Sequence, residues 1–113
     1  MCKAIIEREI RAVIMNNTHN RLEYEIMEYN YGTYISIHQC GVFGELLGIN
    51  YSIDYHSKEV KLSIKHNGKT IKPYPNVECD SCGIVTLGFH EGDKFYGFMK
   101  AVSLIIDDIM VDL

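Results

Sequence analysis

Apolar and polar residues alternate with a period of two through the middle of this chain, and recur with a period near 3.6 at its two ends. At the start, Ile6, Ile10, Val13 and Ile14 fall on one side of a helical wheel, with Glu7, Arg8 and Arg11 elsewhere on it. Ile10, Ala12 and Ile14 also alternate as a strand would, and of the two readings a helix over residues 3–15 is favoured. Asn16-Asn17-Thr18-His19-Asn20 then reads as a loop.

Strand patterning follows. Leu22, Tyr24 and Ile26 alternate with Glu23 and Glu25, Tyr29-Asn30-Tyr31-Gly32-Thr33 reads as a turn, and Ile35 and Ile37 alternate with Ser36 and His38. Residues 22–39 are therefore predicted to form a hairpin. Gly41, Gly44 and Gly48 punctuate an apolar connection through Val42, Phe43, Leu46 and Leu47, read as a bend or a short helix. The clearest strand comes next, with Ile49, Tyr51, Ile53 and Tyr55 on one side and Asn50, Ser52, Asp54 and His56 on the other. Val60, Leu62 and Ile64 alternate with Lys61, Ser63 and Lys65 up to Asn67-Gly68, the residue pair a type I′ hairpin turn demands. Lys69 to Lys72 is the return strand, and Pro73 and Pro75 end it because proline cannot donate to a ladder. Ile84–Phe89 and Lys94–Phe98 read as two further strands joined by a His90-Glu91-Gly92-Asp93 turn. From Met99 to Leu113 the spacing of Val102, Ile105 and Ile109 predicts a helix with a wide apolar stripe, suited to packing on the sheet and leaving a homodimer open. The sum is one α+β domain over residues 1–113. It has a mostly antiparallel sheet of about six or seven strands, a C-terminal helix packed on it and an N-terminal helix.

Charge changes this picture because it is segregated. The net charge is −4, but residues 58–72 carry five lysines against one glutamate, between two acidic flanks. An acidic chain is a poor generic binder of phosphate backbones. The lysines at 58, 61, 65, 69 and 72 would form one stripe on a helix, yet Val60, Ile64, Asn67 and Gly68 require a hairpin. As a hairpin, Lys61 and Lys65 share the polar face and Lys69 lies beyond the turn. They form either a contact surface for an acidic partner or a guard against strand-to-strand aggregation. Tyrosine is the second bias: eight tyrosines and no tryptophan, with Tyr29 and Tyr31 at the tip of the first hairpin, where aromatic side chains anchor interfaces. No apolar run approaches the roughly 18 residues of a membrane span. The charged opening residues do not read as a signal peptide, so the expectation is a cytoplasmic protein with reduced cysteines.

The one chemical motif is Cys79-Asp80-Ser81-Cys82, followed by Gly83. Two thiols three positions apart around a tight turn can reach one metal ion, but a structural zinc takes four ligands. His38 and Cys40 are the candidates to complete a zinc site, with Cys2 and His90 in reserve. The plainer alternative is that these thiols are small apolar residues in a turn. A thioredoxin-like redox role fits poorly, because Cys82 is followed by strand-like sequence and not by a helix. A zinc deaminase is excluded, since Cys40 stands where the proton-shuttling glutamate would follow His38. No hydrolase elbow, metalloprotease helix, phosphate-binding loop or dinucleotide fingerprint is present. The sequence therefore leans away from an enzyme. It points first to a protein-binding module of the inhibitor, immunity or regulator kind. A zinc-supported nucleic-acid binder and a small thiol or metal enzyme are the alternatives.

Overall fold

The competition between periods is settled by what each segment buries. In the computed structural model, which describes residues 2–16, 22–73 and 77–111, the first segment is a helix, α1 (Lys3–Met15). Ile6, Ile10 and Ile14 are spaced four apart and all three are buried. A strand would have placed all three on one face as well, but would have sent Glu7 and Val13 to the other, losing the salt-bridging edge that α1 presents to the sheet. Most of the predicted loop after Asn16 lies outside the described residues, as does Pro75.

The strands are β1 (Leu22–Tyr29), β2 (Gly32–Gln39), β3 (Leu47–Asp54), β4 (Glu59–His66), β5 (Lys69–Ile71) and β6 (Val85–Gly88). They form one antiparallel sheet in the order β1-β2-β3-β4. The far side of β4 is shared: β5 pairs along Ile64–His66 and β6 along Glu59–Leu62. The α+β architecture expected from the alternation is what the chain adopts. The I′ turn is present, with Asn67 and Gly68 both at positive φ (53° and 77°).

The last element, α2 (Gly92–Val111), begins well before Met99. Lys94–Phe98 is thus helix and not strand. Phe95, Phe98, Met99, Val102, Ile105 and Ile106 make one continuous buried stripe. The His90–Asp93 segment is the strand-to-helix junction: Phe95 N–H donates to Glu91 O (3.2 Å), which starts the helical ladder. The sequence concealed this because Gly97, exposed inside the helix, interrupts the periodic pattern.

Both helices lie on one face of the sheet. Their buried residues form a single cluster with Ile35, Ile37, Leu47, Ile49, Leu62 and Ile64. Polar bonds tie α1 down at its margins: Tyr51 Oη donates to Glu7 Oε2 (2.7 Å), Arg11 Nε donates to Tyr24 Oη (2.8 Å), and Lys3 pairs with Glu28. No helix among the described residues is long and apolar enough to cross a membrane.

Candidate functional site

Because successive residues of a strand point to opposite faces, every buried position on the helix side has neighbours on the other, uncovered side. That open face is built from small and polar residues. One level across it runs Glu25, Ser36, Gly48, Lys65, and the next runs Met27, Tyr34, Asn50, Ser63. Glu23 and Glu25 lie on β1 and Lys61 and Lys65 on β4, so the face is striped by charge up to its far end, where Asp54 and Glu59 follow Lys61.

In its middle, the Tyr34 ring lies flat across β3. A Cβ on Gly48 would sit 1.9 Å from Tyr34 Oη, so only glycine admits the ring. Tyr34 donates its hydroxyl to Glu45, and Ser36, almost wholly buried, donates to the other Glu45 oxygen (2.7 Å). Burial first, and then the bond to Glu45, raise the Tyr34 pKa well above the ordinary tyrosine value. Lys65 Nζ stands 6.0 Å from the ring centroid, at the outer limit of a cation–π contact. Glu45 thereby holds the β2–β3 connection against the sheet. His38 Nδ1 lies 3.4 Å from Gly44 O in the same connection, while its Nε2 is buried with no partner among the described residues.

At the other end of the face is a groove of about 310 Å³, walled by Tyr31 and Lys61 and floored by Gly32, Asn50, Ser52 and Ser63. Tyr29 and Tyr31 stack in parallel with centroids 5.2 Å apart and rings 3° from coplanar, and both are exposed. The structure therefore brings together two features that looked separate in sequence, the tyrosine tip and Lys61 of the lysine band. Lys65 lies on the same face nearer the Tyr34 end. Lys69 does not join them: it pairs with His66, two positions beyond the inward-facing Ile64, and so falls on the helix side of the sheet at its rim. A smaller recess of about 250 Å³ shares Ser52 and Lys61 and continues to Asp54, Ser57 and Glu59. The Asp54 carboxyl titrates below the usual range because Ser57 and His56 main-chain N–H groups donate to it.

The Cys79–Cys82 motif and the His90–Asp93 segment serve the two ends of the β6 edge. Phe89 N–H donates to Lys58 O, which fixes the bonded pairs and turns the main chain of Ile84, Thr86 and Gly88 away from β4. At one end, the Asp80 side chain accepts the N–H of Cys82 (2.8 Å) and of Ile84 (2.9 Å), while Asp80 N–H donates to Ile84 O. At the other end, Glu91 Oε1 accepts the Gly88 N–H (2.8 Å) and Glu91 N–H donates to Gly88 O. Both ends of an exposed strand edge are thus closed, which protects it from pairing with another chain.

Within this arrangement Cys79 is half-buried against the core and Cys82 is exposed. Cys40 and His38 belong to the β2 end, three strand spacings away, roughly 14 Å at the usual separation of strands. The structure does not bring the four proposed zinc ligands together, and among the described residues no three His, Cys, Asp or Glu side chains converge on one point. Zinc on Cys79 and Cys82 would have to draw its remaining ligands from outside this set. A wider recess of about 530 Å³ runs along the β6 edge past Glu78, Asp93 and Lys94. Lys94 is ion-paired with Glu91 at 2.7 Å, which raises its pKa and lowers that of Glu91. A lysine held charged in this way is not a nucleophile.

Sequence reasoning missed Glu45, Gly48 and Phe43. The first carried a signal, since a lone carboxylate inside an otherwise apolar connection needs a reason to be there. Gly48 read only as punctuation, and nothing in the sequence marks Phe43 as exposed. No protein-family model, curated protein or solved structure matches this chain.

Proposed function

We propose that this chain is a protein-binding module without catalytic activity of its own, of the inhibitor, immunity or regulator type, which engages its partner through the open face of the sheet. The observation that carries this reading is the groove in which exposed Tyr31 and Lys61 meet above a floor of glycine, serine and asparagine. An aromatic side chain gives a partner a large contact at little entropic cost, and small polar residues let a partner's backbone approach and bond. The charge stripes add orientation, since a matching surface can dock in one sense only.

Nucleic acid fits this face less well. Glu23, Glu25, Glu45, Asp54 and Glu59 outnumber Lys61 and Lys65 on it, and a phosphate backbone needs the opposite balance. The Tyr29–Tyr31 pair could stack on bases, but without a basic track around it the affinity would be small.

The test compares the tagged wild-type chain with a Tyr29→Ala/Tyr31→Ala/Lys61→Ala variant as baits, each first shown to have the same melting temperature. One protein recovered by the wild type and depleted about tenfold or more from the variant is the expected result, in line with the loss of interface anchors. Equal recovery by both baits, or recovery of nucleic acid in a salt-sensitive manner, would remove this reading.

A further inference from the structure

Phe43 is the most exposed large apolar side chain among the described residues, fully open to solvent, with half-exposed Val42 beside it. The chain had apolar neighbours to spare for it: Leu46 and Leu47, three and four residues on, are both buried. Such exposure is ordinary on a mobile loop, but this loop is tied at every turn. Val42 N–H donates to Gln39 O (3.1 Å), Leu46 N–H donates to Ile37 O (2.8 Å), and Glu45 is held by Tyr34 and Ser36 from below. Gly41 and Gly44, at φ 75° and 105°, supply the two reversals that put residues 42–43 at the tip. A fixed loop that presents a bare phenylalanine has already lost the conformational freedom that binding would otherwise cost.

We infer that the Val42–Phe43 tip is a preorganised anchor that enters an apolar pocket on a protein partner. This deepens the open-face reading and rests on it for the class of partner. The partner's surface beside that pocket would be cationic where it meets Glu23 and Glu25 of β1 and acidic where it meets Lys61 and Lys65 of β4. A second copy of this chain fits less well, because the recesses described above mix their apolar lining with Lys61, or with Glu78, Asp93 and Lys94, so each would set a charged side chain beside the phenyl ring. A membrane fits no better: one aromatic side chain gives marginal lipid affinity, and the acidic stripe nearby repels anionic headgroups. Phe43 and Tyr31 stand at opposite ends of β2, roughly 25 Å apart along the strand, so one partner of ordinary interface size can reach both.

The experiment places the photo-crosslinking amino acid p-benzoylphenylalanine at position 43, at position 31, or at Tyr96 on the helix side, in three otherwise intact chains in cells. Adducts are then mapped by mass spectrometry to residues on both sides. The expected result is one protein joined to positions 43 and 31 but not 96, with the adduct from 43 inside an apolar pocket bordered by Lys or Arg. With the two proteins purified, Phe43→Ala should weaken binding about thirtyfold while leaving the melting temperature unchanged. Adducts from 43 to lipid, to a second copy or to nothing, with 31 still joined to a protein, would overturn the anchor and leave the open-face reading standing. An unchanged affinity for Phe43→Ala would do the same. Adducts from 43 alone would overturn the Tyr31–Lys61 groove and keep the anchor. No adduct from either position would end both.

Discussion

The helix-covered and open faces of the sheet are made from the same strands, residue by residue in alternation, yet they are organised by different forces. On the covered face, Ile35, Ile37, Leu47, Ile49 and Ile64 are completely buried, and stability comes from apolar area removed from water. On the open face the side chains are mostly small, polar or charged, and Tyr34 lies in close contact with Gly48 beside Glu45. Each face nevertheless uses the same device to hold what lies over it. Tyr51 reaches Glu7 of α1 on the covered side, and Tyr34 reaches Glu45 of the β2–β3 loop on the open side. The helix held by the first bond hides apolar surface, whereas the loop held by the second displays it. The difference teaches that the open face is not merely what was left over when the core formed, since a tyrosine, a serine, a glutamate and a glycine are committed to shaping it.

The comparison can be broken most forcefully at the core. Leu47→Ala should cost about 3 kcal/mol in urea-monitored unfolding, through lost burial and the cavity left behind. Ser63→Ala, on the open face of the neighbouring strand, should stay within about 0.5 kcal/mol. Equal costs would mean that the open face is itself covered in solution. Gly48→Ala probes the exception: its Cβ collides with Tyr34 and should cost about 1–3 kcal/mol, as overpacking in a core does. In a Tyr34→Ala background the same change should become far cheaper, and additivity of the two substitutions would refute the close approach.

The smallest effect is gated by pH. Tyr34 and Tyr51 both have pKa values raised in the folded chain, by burial first and then by their glutamate bonds. The folded state therefore holds those protons more tightly than the unfolded state, where tyrosine titrates near pH ~10. The stability this contributes is complete below that value and is lost as pH rises through it towards the folded values. Melting temperatures between pH 8 and 11 should fall at the alkaline end, and Tyr34→Phe and Tyr51→Phe should each flatten the decline. A decline that neither substitution touches would assign it to other groups.

Much of this was legible in the sequence where one period dominated. The alternation from Ile49 to His56 and from Val60 to Lys65 located most of β3 and β4, and Asn67-Gly68 located the turn from β4 into β5, because both signals are local. Lys94–Phe98 was misread as strand because the helix it belongs to is specified by Glu91 and by distant burial of Phe95 and Phe98, with Gly97 weakening the local pattern. The candidate site was half legible. Tyr31 and Lys61 were each visible as exposed side chains of known use, but their meeting depends on the register of four strands, which no local signal carries. The thiols drew attention because their spacing has a chemical meaning, while the aspartate between them, which closes the strand edge, looked like filler.

The most direct test of the account is hydroxyl-radical footprinting of the chain alone and in complex with its recovered partner. Exposed, oxidisable side chains lie on both sides: Tyr29, Tyr31 and Phe43 belong to the open face and its loop, and Tyr96, Leu104 and Val111 to α2. The account predicts that the partner protects the first three and leaves the second three as reactive as before. Protection of Tyr96, Leu104 and Val111 with Tyr31 and Phe43 still reactive would contradict it.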